Sequence, residues 1–148
     1  MTDSPLFTMR RRVAFAETDM AGILHFANYF RYMEEVEHAF FRSLGMRVHE
    51  HDGEQGFRGW VRGDVQCRYL HPLRYEQVVD LHLRVARKGT KSITYEIDFL
   101  LPGTDGQPVH CARGTVVAVC VTQGPGDSRP RAIPIPAEVD ARIDAAPA

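Results

Sequence analysis

The sequence predicts an α+β fold, with one long helix wrapped by a curved, mainly antiparallel five-stranded sheet. Three observations carry this. Over residues 27–44, apolar side chains recur at steps of three and four, the spacing of one helical face. After residue 60, segments of alternating apolar and polar residues follow in the manner of strands. Hairpin-length links join these segments, which predicts antiparallel neighbours. One helix lying on one sheet is an α+β arrangement.

The elements follow in order. Residues 8–16 alternate weakly, with Val13 and Phe15 on one side and Arg12 and Ala14 on the other, and predict a short strand. Thr18 to Gly22 breaks that pattern. The helical face then runs through Tyr29, Met33, Val36, Phe40 and Leu44, widened by Phe30 and Phe41. Glu34, Glu35, Glu37 and Arg42 lie mostly off it. Asn28 is the expected N-cap, and Gly45 the C-terminal stop. Residues 46–59 are polar, contain Gly53, Gly56 and Gly59, and predict a connecting loop. Strand patterns follow at Val61, Val65, Cys67 and Tyr69, at Val79, Leu81, Leu83 and Val85, and at Ile93, Tyr95, Ile97 and Phe99. His71-Pro72-Leu73-Arg74 and residues 102–106 are turns. Residues 109–121 form a long apolar strand whose two faces are both expected to be covered. The tail from Gly124 is read as irregular.

At 148 residues, the chain is read as one domain spanning 1–148, with its core at about 9–123. Hydrophobic residues make up 44% and charged residues 25%, as in an ordinary globular protein. Net charge is -1, and acids and bases interleave, which argues against a nucleic-acid partner. The short basic cluster Arg10-Arg11-Arg12 is read as the solvated start of the first strand. No apolar run approaches the roughly 20 residues of a membrane span, and the N-terminal stretch predicts no secretory leader. The three cysteines are odd in number and widely spaced, which speaks against a disulfide framework and against a zinc cluster. Buried, reduced thiols at Cys67 and Cys120 and a cytoplasmic location are expected. A single helix covers only one face of the sheet, so a homodimer is expected as well.

The junction of first strand and helix is the most informative point. Glu17 and Asp19 share a face if the strand persists. The chain turns through Ala21-Gly22, where glycine permits backbone geometry that other residues resist. Amides from about Ile23 to Asn28 lie near the helix start and favour negative charge. A carboxylate beside free amides suits acyl transfer: the amides hold a carbonyl oxygen as it gains charge, and the carboxylate attacks or draws a proton from water. On spacing alone, Asp19 reads first as a tie between loop and helix, since acids near helix starts are common.

The segment AETDMAGILHFANYFRYMEEVEHAFFRSLG resembles the signature of the 4-hydroxybenzoyl-CoA thioesterase family. YLHPLRYEQVV resembles that family's strand–proline–strand link, and RKGTKSITYEIDF its central hairpin. The closing VVAVCV and RPRAIP match how such chains end. The resemblance runs from about Met9 to Pro136 and implies the hot-dog fold and an acyl-CoA thioesterase. Carried over by position, it implies Asp19 as the catalytic carboxylate and Gly22 as the loop glycine. The same resemblance implies that the amides of His25 and Phe26 polarise the thioester carbonyl and that Asn28 and Tyr29 stand at the helix entry. Arg87, Lys88, Thr90, Lys91 and Ser92 fall near the segment that in the family meets the phosphates of coenzyme A, which implies a phosphate contact there. No cofactor is implied, since coenzyme A belongs to the substrate, and the assembly implied is a homodimer or homotetramer. Glu17 stands where aspartate is commoner. Phe26 stands where one branch carries histidine, and His25 lies one place earlier. The alternative is a protein on the same fold that holds an acyl-CoA or acyl carrier without cleaving it.

Other candidates are weaker. His38, Glu34 and Glu37 share part of the helix, but no histidine pair at ligand spacing supports a metal. His49 and His51 read as solvated, His71 as structural or, through its loop, as bordering a neighbouring subunit's site, and Trp60 as core or interface. Ser43 and Ser92 lack the Gly-x-Ser-x-Gly elbow of a serine hydrolase.

Overall fold

The computed structural model describes residues 6–51 and 56–144. The elements are strand β1 (Leu6–Arg12), helix α1 (Asn28–Ser43), β2 (Glu50–His51), β3 (Phe57–Tyr69), β4 (Val78–Lys88), β5 (Ser92–Leu101), β6 (Val109–Gln123), β7 (Arg131–Ala132) and helix α2 (Ala137–Asp144). The strands join in the order β1-β4-β5-β6-β3-β2, with β7 on β6, and every pairing is antiparallel. The five long strands are those expected. The two-residue strands β2 and β7 are additions, and β2 interrupts the expected 46–59 loop, of which residues 52–55 lie outside the described residues.

The sheet curls around α1. Its concave side carries Val79, Leu81 and Leu83 from β4, and Ile93, Tyr95, Ile97 and Phe99 from β5, all at most 1% exposed. Register shifts at Gly63 in β3, at Ala86 in β4 and opposite Cys111 in β6 are bulges, which bend and twist the strands. Tyr29, Tyr32, Met33, Val36, Phe40 and Phe41 of α1 fill the concavity. Met33 reaches the sheet because Gly114 has no side chain: a Cβ there would lie 2.3 Å from the Met33 methyl.

Several expectations need correction. The first strand ends at Arg12, and Phe15, expected to face inward with Val13, is 74% exposed and packs edge-on against Tyr75. The chain breaks because Phe15–Glu17 forms a 3₁₀ turn. In β6 the outward residues Val117 and Val119 are half-buried, so one face alone is covered within a protomer. The tail is not irregular throughout. Helix α2 docks Val139 and Ile143 into the core, each 5% exposed, and Lys88 Nζ meets Asp140 Oδ1 at 2.9 Å.

Candidate active site

The loop carrying Asp19 is fixed at both ends by backbone pairing. Asp19 N–H donates to Ile23 O at 2.9 Å, and Gly22 N–H to Asp19 O at 3.0 Å. Gly22 closes this turn at φ +80°, the left-handed region in which glycine is unstrained. Leu24 N–H then donates to Leu73 O at 2.7 Å, which ties the loop to the His71–Pro72 turn. Asp19 Oδ1 accepts the Ala21 N–H at 2.8 Å. Oδ2 has no partner among the described residues.

Asp19 lines a cleft of about 430 Å³ with Ile23, Leu24, Phe26, Tyr29, Tyr69, Leu70, His71 and Pro72. The lining is largely apolar. Burial pushes the Tyr29 hydroxyl up to about 12 and the nearby Cys67 thiol up to about 11. Both are therefore protonated at neutral pH, so Cys67 is no thiolate nucleophile. Asp19 is left as the carboxylate lining the cleft.

The helix entry differs from expectation in three ways. First, Glu17 and Asp19 do not share a face. Glu17 turns inward: its carboxylate accepts hydrogen bonds from Tyr32 Oη at 2.6 Å, from the Ala14 amide at 2.9 Å and from Arg11 Nη2 at 2.6 Å. Second, the His25 amide is not free, because it donates to Glu17 O at 2.9 Å. His25 Nδ1 accepts the Ala27 N–H at 3.1 Å, so both of its polar handles on this side serve the turn. The Phe26 amide has no acceptor among the described residues. Third, Asn28 is not the N-cap. Ala27 holds that position without a side-chain bond, and Asn28 Nδ2 donates to Glu17 O at 2.8 Å.

The basic hairpin is not brought to this cleft within a protomer. Strand β4 starts beside Arg12, next to the Asp19 loop, and ends at Lys88. Ten residues of strand, about 33 Å, separate the two. Lys88 is engaged by Asp140, and the Thr90 and Lys91 carbonyls accept the Ile135 and Cys120 amides. Arg87 is exposed beside the β4 bulge.

The sequence reading missed Tyr69, Leu70 and Pro72 as cleft walls, and Arg11 as a support. Arg11 was assigned to a solvated cluster. Instead it bonds Glu17 and Glu35 and lies 4.4 Å over the Tyr32 ring. Its place in β1, four residues before Phe15, carries no signal of this, since the contact needs the 3₁₀ turn. Among the described residues, no three His, Cys, Asp or Glu side chains come together to hold a metal ion.

Comparison with known proteins gives this geometry a setting. The family model described as thioesterase-like superfamily matches residues 13–143. A provisionally named esterase of Aquifex aeolicus is 38% identical over 89 residues, covering 60% of this chain and 68% of its own. The 1,4-dihydroxy-2-naphthoyl-CoA hydrolase of Thermosynechococcus vestitus is 33% identical over 73 residues, 49% of either chain. The solved 4-hydroxybenzoyl CoA thioesterase from Pseudomonas sp. strain CBS-3 superimposes with a TM-score of 0.77 over 94% of this chain and 99% of its own. At 17% identity, that last likeness is one of fold, and it identifies the curled sheet and helix as a hot-dog fold.

Proposed function

The chain belongs to the thioesterase-like superfamily, and on that premise we propose that it hydrolyses an acyl-CoA thioester to the free acid and coenzyme A. One observation supports this most. A carboxylate with one oxygen unpartnered among the described residues, Asp19, shares an apolar cleft with Phe26, whose amide at the helix entry has no acceptor among them. The superfamily membership and the named hydrolase relative point the same way.

The thioester carbonyl oxygen takes the Phe26 N–H, which steadies the charge it gains in the transition state. The positive end of α1 adds to this. Asp19 Oδ2 then acts in one of two ways. As nucleophile it bonds to the acyl carbon, and water later opens the mixed anhydride. As general base it takes a proton from water while that water attacks. On either route the C–S bond breaks, and coenzyme A leaves with the electron pair. Gly22 shapes the loop, Asn28 and His25 hold its carbonyl partner at Glu17, and Tyr29 walls the acyl side.

A homodimer completes the site in this reading. Strand β2 pairs with β3 at Phe57 and Arg58 alone, which leaves the rest of β3 as an edge among the described residues. Val65 is 41% and Tyr69 45% exposed there. Two such edges pairing antiparallel cover both. The partner then runs the opposite way, and its residues 87–92 come level with this Asp19, which brings Arg87 and Lys91 toward the nucleotide end. A homotetramer is a pair of such dimers. Three free thiols accord with a cytoplasmic location, and no helix among the described residues is long and apolar enough to cross a membrane.

Asp19→Asn is expected to lower kcat about 10²–10⁴-fold and to leave circular dichroism and oligomeric state unchanged. Near-normal turnover removes Asp19 from the mechanism. A thiol-release assay across short, long and aromatic acyl-CoAs tests the reaction itself. Tight binding with no thiol released by any of them would favour a holding protein instead.

A further inference from the structure

The nucleophilic route through Asp19 leaves a chemical gap. Once Asp19 Oδ2 is bonded to the acyl carbon, it cannot also draw a proton from water. Opening the mixed anhydride then calls for a second base in the same cleft.

The lining narrows the choice. The side chains of the Asp19 cleft that carry polar atoms are Asp19, Tyr29, Tyr69 and His71. Burial pushes both tyrosine hydroxyls up to about 12, so both stay protonated at neutral pH. The Tyr69 hydroxyl also donates to Phe26 O at 3.0 Å. Nearby His25 lies outside the lining, stacks on Phe26 and commits Nδ1 to the Ala27 amide. His71 remains. Its imidazole has no hydrogen bond or ion pair among the described residues. The residue is exposed, so a proton taken there can pass on to bulk water.

The backbone fixes where that imidazole stands. Ile23 and Arg74 form an antiparallel bridge, and Leu24 N–H donates to Leu73 O at 2.7 Å. Two residues further along each segment, this register sets His71 opposite Phe26, whose amide takes the thioester carbonyl oxygen in the proposed reaction. His71 N–H donates to Cys111 O at 3.1 Å, and Pro72 holds the residue before it in extended conformations. The imidazole is therefore carried by a braced turn on the wall facing that amide.

We infer that His71 is the general base of the second half-reaction, the one that removes the acyl group from Asp19. The inference rests on the thioesterase reading of the Asp19 cleft and selects its nucleophilic route. In the first half, Asp19 Oδ2 bonds to the acyl carbon, the C–S bond breaks and the thiolate leaves with the electron pair. In the second, His71 takes a proton from water as the water oxygen bonds to the acyl carbon. The anhydride C–O bond breaks, its electron pair returns to Asp19, and the free acid leaves. The imidazolium gives its proton to solvent.

The test mixes His71→Asn rapidly with an excess of the acyl-CoA that the wild type turns over fastest, and follows thiol release. A burst of about one thiol per active site is expected, followed by a steady rate lowered about 10²-fold, the low end for a lost general base. Intact-protein mass spectrometry is expected to find the variant heavier by one acyl group, and the double variant with Asp19→Asn unmodified. Imidazole added to His71→Gly is expected to restore the steady rate, which a purely structural role would not allow. An unchanged steady rate in His71→Asn overturns the inference. So does a lowered rate without burst or acyl adduct, which puts His71 before C–S cleavage or outside the chemistry. Both of those outcomes leave the hydrolase reading standing. A wild type that releases no thiol from any acyl-CoA sinks that reading, and this inference with it.

Discussion

The Glu17 carboxylate binds Arg11, Tyr32 and the Ala14 amide, and its carbonyl binds the His25 amide and the Asn28 side chain. It therefore joins β1, α1 and the Asp19 loop. Burial alone would raise this carboxyl, but the bonds from Tyr32, Ala14 and Arg11 outweigh it and hold it below the usual carboxylate range. A carboxyl lowered by folding contributes stability above its unfolded value, and that contribution is lost as pH falls through the folded one. Glu17→Gln is expected to cost about 1.5–3 kcal/mol at neutral pH, the scale of hydrogen bonds to a charged group. The gap closes as pH falls below about 4. Urea unfolding across that range checks it, and parallel curves for the two proteins would refute the assignment. The Glu17 side chain was legible as an acid near Asp19, but its inward turn was not. That turn depends on Arg11 and Tyr32, six residues before it and fifteen after.

At the scale of elements, local pattern served where periodicity was strong. Helix α1 lies within one residue of its expected ends because its apolar stripe is long and Gly45 stops it at φ +75°. Strands β4 and β5 bury every expected position except Val85, which is half-buried at the bulge. The tail failed the same method. Helix α2 is eight residues long and rich in alanine and acids, too short to hold a helix by itself in water. It forms because Val139 and Ile143 find a core already built, and because Arg142 reaches the Leu44 and Gly45 carbonyls at 3.4 and 3.2 Å. Ile143→Ala is therefore expected to cost about 2 kcal/mol, the low end for a buried isoleucine. A lower urea midpoint with an unchanged slope is the expected record. An unchanged midpoint would place α2 outside the cooperative unit.

At the scale of the whole molecule, the sheet has two edges, β1 with exposed Leu6 and β3 with exposed Val61, Val65 and Tyr69. The free edge of β3, with Val65 and Tyr69, borders exposed Phe26 and Leu70 near the Asp19 cleft. The outer face of the sheet is different. There Arg84, Glu96, Arg113 and Asp98 form cross-strand ion pairs and face water. The β3 edge, which carries the larger apolar exposure beside the cleft, is the interface of the proposed dimer. Val65→Lys is expected to turn the proposed dimer into a monomer in analytical ultracentrifugation, since a lysine on an edge opposes strand pairing. A dimer of undiminished affinity would move the interface elsewhere.

The sequence by itself determined the fold class, the helix, the inward residues of the hairpin strands and the position of Asp19 on a glycine turn before a helix. All of these are local. Helical and strand periods, a glycine at a left-handed position and an acid beside a helix start are set by neighbours within a few residues. The tertiary structure alone decided which amide stays free, since Glu17 O claims the His25 N–H and leaves Phe26. It also decided that residues 87–92 lie at the far end of β4, and that the Tyr95 hydroxyl is buried without a partner among the described residues. Each of these depends on strands and helix meeting across long sequence separations, where the pattern of any single segment carries no information.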